Sequence, residues 1–178
     1  VKKASPSKGL ICRDFHPADI AREYQRCGAS AISCLTEEHY FMGSSDYLRE
    51  IREAVTLPIL RKDFIFDAYQ IYEAKVIGAD AVLLIAAVHD TKRLSELADI
   101  AHSLGLDVLA ETHNERELES VLAAGCDIVG INNRDLTTFN VSLETTKRLI
   151  GLIPDSKVKV SESGIKSADD MRYVRKCG

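Results

Sequence analysis

Three phrases decide the fold. Cys27-Gly28-Ala29 leads into Ala31-Ile32-Ser33-Cys34-Leu35, Gly78-Ala79-Asp80 into Ala81-Val82-Leu83-Leu84-Ile85, and Gly125-Cys126-Asp127 into Ile128-Val129-Gly130-Ile131. Their glycines lie roughly 50 residues apart, which is the span of two strand–helix units. A glycine closing one element before a short apolar run reads as a helix end followed by a buried strand. Between these phrases lies a second series: Leu57-Pro58-Ile59-Leu60-Arg61-Lys62, Leu106-Asp107-Val108-Leu109-Ala110-Glu111 and Val158-Lys159-Val160-Ser161-Glu162. Together they make six strands, short and bounded by turn residues, as buried parallel strands are.

Each gap carries a helix with its own start. Pro17 suits a first helical position, and Ile20 and Tyr24 form a stripe that Gly28 closes. Ser45 or Asp46 is expected to cap the next helix, Asp67 the third, and Thr91 to open a fourth that Gly105 ends. Asn114 with Glu117, and Ser167 with Asp170, have capping-box spacing, and Ser142 precedes Leu149 and Ile150. Strict strand–helix alternation allows a doubly wound open sheet or a closed barrel. The repeat over pairs of units favours the barrel, whose alternate strands fill alternate side-chain layers. No strand is followed by a glycine-rich dinucleotide or phosphate loop. The expectation is an α/β protein, a (β/α)8 TIM barrel that is incomplete here. Val1-Lys2 reads as the tail of strand one, strands two to seven are present, and most of strand one and all of strand eight are missing. Residues 1–178 then form one truncated domain.

Composition narrows the function. The chain is 46% hydrophobic and 28% charged, with a net charge of −4. A phosphate backbone needs a basic face, so nucleic acid is not an expected partner. No apolar run approaches the roughly 20 residues of a membrane helix, so no membrane is expected. Cys12, Cys27, Cys34, Cys126 and Cys177 are odd in number and form no C-x-x-C pair. They read as small core residues of a reduced, cytoplasmic protein. His16, His39, His89, His102 and His113 lack metal-ligand spacing, so no metal is expected.

In a barrel, chemistry sits at the carboxyl ends of the strands. Those ends read Lys2-Lys3-Ala4-Ser5-Pro6-Ser7, Thr36-Glu37-Glu38 with Phe41, Arg61-Lys62-Asp63-Phe64, Ala86-Ala87, Glu111-Thr112-His113, Asn132-Asn133-Arg134-Asp135 and Ser161-Glu162-Ser163-Gly164. Each polar residue has a plain structural reading. Lys62 could pair with Asp63, Glu111 could cap a helix, Asn132 could tie down its loop, Glu162 could pair with a lysine, and Ser5 and Ser7 could form a turn around Pro6. The argument is their convergence: Lys2, Lys62, Glu111, Asn132 and Glu162 fall on one rim. A lysine and a carboxylate in a dry pocket make a tunable acid–base pair.

Taken together, the segments Lys2-Lys3-Ala4-Ser5-Pro6-Ser7, Leu35-Thr36-Glu37-Glu38 with Tyr40-Phe41-x-Gly43-Ser44, Leu60-Arg61-Lys62-Asp63-Phe64-Ile65, Ala110-Glu111-Thr112-His113, Gly130-Ile131-Asn132-Asn133-Arg134-Asp135-Leu136 and Ser161-Glu162-Ser163-Gly164-Ile165 resemble those of the indole-3-glycerol phosphate synthases of tryptophan biosynthesis. The match runs along the whole chain in order. The resemblance implies a carboxy-lyase that uses no cofactor. Its substrate is a small anthranilate carrying a deoxyribulose phosphate, whose ring closes onto the ketone before carbon dioxide and then water leave. By motif, Lys62 is the general acid, Glu111 a catalytic carboxylate, and Lys2 holds the anthranilate carboxylate and assists catalysis. Asn132, Arg134, Glu162 and Ser163 match substrate contacts, Phe41 an aromatic wall, and Ser5 and Gly164 the phosphate side.

The family pattern also has a catalytic glutamate just before Val1, an N-terminal extension and a Gly-Ser phosphate loop after strand eight. None of these is in the chain. The 178 residues alone are therefore expected to be inactive and to self-associate through open barrel edges. Two other readings are a phosphoribosylanthranilate isomerase, which would need a cysteine at the end of strand one, and a non-catalytic half that assembles with a complementary piece.

Overall fold

The computed structural model describes residues Val1–Gly178. A short antiparallel pair comes first, β1 (Ala4–Ser5) with β2 (Gly9–Leu10), turning at Pro6-Ser7-Lys8. Then α1 (Pro17–Arg26), β3 (Ile32–Leu35), α2 (Ser45–Ala54), β4 (Ile59–Lys62), α3 (Ala68–Val76), β5 (Ala81–Ile85), α4 (Thr91–Ser103), β6 (Asp107–Thr112), α5 (Glu115–Ala123), β7 (Ile128–Asn132), α6 (Glu144–Leu149), β8 (Val158–Glu162) and α7 (Ala168–Cys177) follow. The sheet order is β3-β4-β5-β6-β7-β8, so every strand neighbours the next one in the chain. With a helix in each crossover, this is an α/β fold of the TIM type.

The chain divides into two compact units, Val1–Leu83 with Ile100–Asp107, and Leu84–Asp99 with Val108–Gly178. In the first, β3 runs parallel to β4 with Cys34 opposite Arg61 and Leu35 opposite Lys62. Parallel pairing continues into β5, with Arg61 opposite Val82. Its core holds Ile32, Leu48, Ile51, Ile59 and Ile71, all essentially sealed from water. The carboxylate of Asp80 joins helix to strand, accepting from Arg52 at 2.7 Å and from the Ile59 amide at 2.8 Å. The backbone of Val1 lies against β3: its nitrogen donates to the Ser33 carbonyl, and the Leu35 amide donates to its own carbonyl at 3.2 Å. That is the bonding pattern of a parallel partner of Cys34.

In the second unit, β6, β7 and β8 are parallel, with Glu111 opposite Gly130 and Asn132 opposite Glu162. Leu118, Val121, Val129, Ile131 and Leu149 fill the core there.

Helix ends follow the sequence closely. Gly28, Gly78, Gly105 and Gly125 all take positive φ immediately after helices. Asp67 and Ser167 form reciprocal capping boxes, and the Asn114 side chain accepts from the Glu117 amide. One start differs from expectation. Ser44, not Ser45 or Asp46, caps α2, because its hydroxyl accepts from the Asp46 amide. Thr91 opens α4 as expected, and Asp90 just before it caps the helix by accepting from the Arg93 amide at 2.7 Å. Leu143 occupies the cap position of α6, while the Ser142 hydroxyl one residue earlier accepts from the Glu144 amide. Among the cysteines, Cys34 and Cys126 are buried core residues, but Cys27 is exposed at the end of α1 and Cys12 and Cys177 are half-exposed. All five are free thiols.

Gly43 lies where backbone crowds it. A β-carbon there would meet the carbonyl oxygens of Leu35 and Glu37, neither of which can swing aside. Gly43→Ala is therefore expected to destabilise the protein by about 1–3 kcal/mol, read as a lower urea midpoint with an unchanged denaturant slope.

Candidate active site

Strand alternation sorts the side chains of β4. Arg61 is 4% exposed and points toward α3. There its guanidinium meets Glu73 at 2.6 Å, the Gln70 carbonyl at 2.8 Å and the Thr36 hydroxyl at 3.2 Å. Asp63 accepts from that same Thr36 hydroxyl at 2.6 Å and lies 3.4 Å from Arg61, so its carboxylate belongs to the helix-facing network. Lys62, the last residue of β4, faces the opposite side of the strand and is half-buried.

Around it, the first unit places three more candidates. Ser5 ends β1; it is 6% exposed, and its hydroxyl is buried without a protein partner. Lys2 is exposed just before that strand. Phe41 is half-buried in a loop built by Glu37, whose carboxylate accepts from the amides of His39, Tyr40 and Phe41 at 2.9, 2.7 and 3.0 Å. The Phe41 carbonyl accepts from the Ala4 amide at 3.2 Å, joining this loop to β1. Its ring sits 6.4 Å from that of Phe64, in the loop after Lys62. The loop thus holds Phe41 beside the Ser5 strand.

The second unit brings its candidates into direct contact. Glu111, near the end of β6, is 2% exposed. Asn132, ending β7, donates from Nδ2 to Glu111 Oε1 at 3.0 Å and accepts from the Arg134 amide at 3.0 Å. It therefore holds both a carboxylate and its own loop. Arg134 opens that loop, which folds back through a bridge to Val141; the Arg134 guanidinium rests on the Phe139 carbonyl at 3.2 Å.

Glu162 ends β8 opposite Asn132. A β-carbon on Gly130 would collide with Glu162 Oε1 and lie 3.2 Å from Leu109 Cδ1. The bare glycine is what leaves a slot for this carboxylate on the face that carries Glu111. Ser163 and Gly164 follow, both at positive φ, and a side chain on Gly164 would strike Val141.

Asn133 fixes this edge. It is 2% exposed. Its Nδ2 donates to the Ser161 hydroxyl and the Glu162 carbonyl, both at 2.9 Å, and to the Ser163 carbonyl at 3.2 Å. Its Oδ1 accepts from the Thr146 amide and hydroxyl at 3.0 and 2.9 Å.

His113 was not singled out from the sequence. Its Nε2 lies 3.2 Å from Glu111 Oε1, an ion-pair contact off the line of a good hydrogen bond. Its Nδ1 is 2.8 Å from Glu117 Oε2. Burial by itself would lower the imidazole pKa. The close contacts with Glu111 and Glu117, and the charges of both, outweigh it and raise the value from the ordinary 6.5 to about 9. Burial likewise pushes the Glu117 carboxyl up, but its bonds from His113 bring it below the ordinary value. The readable signal was the spacing: Glu111 two residues before the histidine, Glu117 four after it.

Known proteins match this chain along its whole length. A protein-family model described as indole-3-glycerol phosphate synthase matches residues 1–178. The chain belongs to the indole-3-glycerol phosphate synthase family. The enzyme of that name from Caldanaerobacter subterraneus is 53% identical over 178 residues, covering all of this chain and 69% of the relative. That from Dehalococcoides mccartyi is 54% identical over 181 aligned positions, covering all of this chain and 70% of the relative. Among solved structures, an N-acetylmannosamine-6-phosphate 2-epimerase from Clostridium perfringens superposes with a TM-score of 0.72. It covers 94% of this chain and 80% of its own at 16% identity, a likeness of fold alone.

Two outcomes test this geometry. Asn133→Ala strips five hydrogen bonds from one buried point and is expected to cost about 2–4 kcal/mol, measured by urea unfolding. For His113 the folded pKa is the raised one. Its contribution is complete below about pH 6.5 and is lost as pH rises through about 9. After allowance for partial solvent screening, the loss is on the order of 1–3 kcal/mol. Stability of the unaltered protein should fall across that window, and that of His113→Asn should not.

Proposed function

We propose that the protein the cell makes with these residues acts as an indole-3-glycerol phosphate synthase, closing, decarboxylating and dehydrating a carboxyphenylamino-deoxyribulose 5-phosphate to form the indole of tryptophan biosynthesis, and that residues 1–178 alone do not turn it over. Family membership along the whole chain supports the activity. The observation that carries the residue roles is the position of the polar groups. Lys62, Glu111, Asn132 and Glu162 each stand at or next to the carboxyl end of a parallel strand, the edge where this fold holds its chemistry.

Lys62 is the general acid. Ring closure puts negative charge on the former ketone oxygen, and an ammonium at that oxygen both stabilises the charge and delivers a proton. Lys2 pairs with the anthranilate carboxylate and holds it while the ring attacks. Decarboxylation then restores aromaticity. Glu111 is the catalytic carboxylate that takes a proton from the substrate, and the Asn132 amide fixes its orientation. Glu162, Ser163 and Arg134 contact the substrate, Phe41 flanks its ring, and Ser5 and Gly164 serve the phosphate. The buried, unpartnered Ser5 hydroxyl is suited to that last task, since phosphate oxygens accept hydrogen bonds. No step requires a metal or an organic cofactor.

The same reading takes the strands as part of one eight-stranded barrel domain. The parallel backbone bonds of Val1 to β3 support a strand ahead of it.

The test is Lys62→Met in the protein as the cell makes it, assayed by the fluorescence of the indole product. Loss of a general acid is expected to lower kcat by about 10²–10⁴-fold. Turnover within about fivefold of the unaltered enzyme would contradict the assignment.

A further inference from the structure

We infer that His113 is a positioning residue for Glu111, a doubly protonated bridge that holds the Glu111 carboxylate ionised and in one rotamer. The inference rests on the synthase reading for what Glu111 does, but its geometry stands independently. Ionised carboxylates only accept hydrogen bonds, and a neutral imidazole has one N–H. His113 presents both ring nitrogens to carboxylate oxygens, Nε2 to Glu111 at 3.2 Å and Nδ1 to Glu117 at 2.8 Å. The Nδ1 contact is a hydrogen bond and the Nε2 contact an ion pair; only the imidazolium avoids turning a ring lone pair toward a carboxylate oxygen.

The far carboxylate is itself anchored. Glu117 Oε2 also accepts from the His113 amide at 2.8 Å, and Oε1 accepts from Asn114 Nδ2 at 2.7 Å. Asn114 caps the helix that carries Glu117. A helix start thus fixes Glu117, Glu117 fixes the imidazolium, and the imidazolium meets Glu111 Oε1 together with Asn132 Nδ2. The charged groups that bear on the ring are Glu111 from β6, Glu117 from α5, and Asp135 in the loop after β7, whose carboxyl feels the His113 charge. All three are acidic, so each favours the protonated ring.

This arrangement has a chemical purpose. A carboxylate that is 2% exposed would ordinarily take up a proton. A protonated Glu111 could not accept one from the substrate. The imidazolium keeps it ready, and by standing on one side of Oε1 it stops the side chain from rotating away.

The experiment is a carboxylate titration by carbon NMR, with the pH dependence of kcat measured alongside. The variants are His113→Asn and Glu117→Gln. In His113→Asn the Glu111 pKa should rise by about one unit or more. The acid limb of the kcat profile should move up with it, and kcat near neutral pH should fall at least about tenfold with KM within about threefold. In Glu117→Gln the imidazole should titrate at least about one unit lower than in the unaltered protein, with Glu111 following in the same direction as in His113→Asn but by less. If His113→Asn does not fold, the Glu117→Gln titrations decide. An unmoved Glu111 titration, or a loss of kcat with no shift of the acid limb, overturns the inference. Absence of turnover by the unaltered protein as the cell makes it would instead refute the synthase reading, and the NMR titration would still decide the role of His113.

Discussion

One constraint organises the molecule: each strand is returned to the start of the next by a helix, so neighbouring strands point the same way. Side-chain alternation along a strand then has a fixed consequence. Arg61 is turned into the helix layer and neutralised there by Glu73, while its neighbour Lys62 emerges on the other face at the strand's end. Glu111, Asn132 and Glu162 obey the same rule in the second unit. The charges of the site are thus placed by backbone direction, and the networks behind them hold the loops in which the strands end.

The cost of this design is the burial of ionisable groups. Removing a carboxylate from water costs several kcal/mol unless charge and hydrogen bonds compensate. Glu111 has the Asn132 amide and the His113 cation. For Glu162 the missing side chain of Gly130 supplies the space. Asn133 supplies rigidity without touching a charge, since all five of its partners are hydroxyls or backbone groups. Preorganisation of this kind lets a site act without rearranging as charge develops.

Much of the fold was legible in the sequence because it is written in local chemistry. Glycines that accept positive φ mark four helix ends, and Asp67, Asn114 and Ser167 announce helix starts, the last two by their spacing to a partner three residues on. The α2 start was misplaced by one residue because Ser44 and Ser45 are chemically equivalent until the backbone chooses between them. Cys27 reads as a core residue only by being grouped with the other cysteines; it lies exposed at the end of its helix. The site was legible as a set of strand ends but not as a network. His113 and Gly130 escaped notice because their roles are relational. One depends on two carboxylates reaching the same ring, the other on a side chain arriving from the next strand.

The central claim, that the carboxyl ends of these parallel strands form the catalytic edge, is tested most directly by a crystal structure of the native protein with indole-3-glycerol phosphate bound. The account expects product density against Asn132, Arg134 and Glu162, with the phosphate toward Gly164. Product seated at the amino ends of the strands, or against the outer faces of the helices, would contradict it.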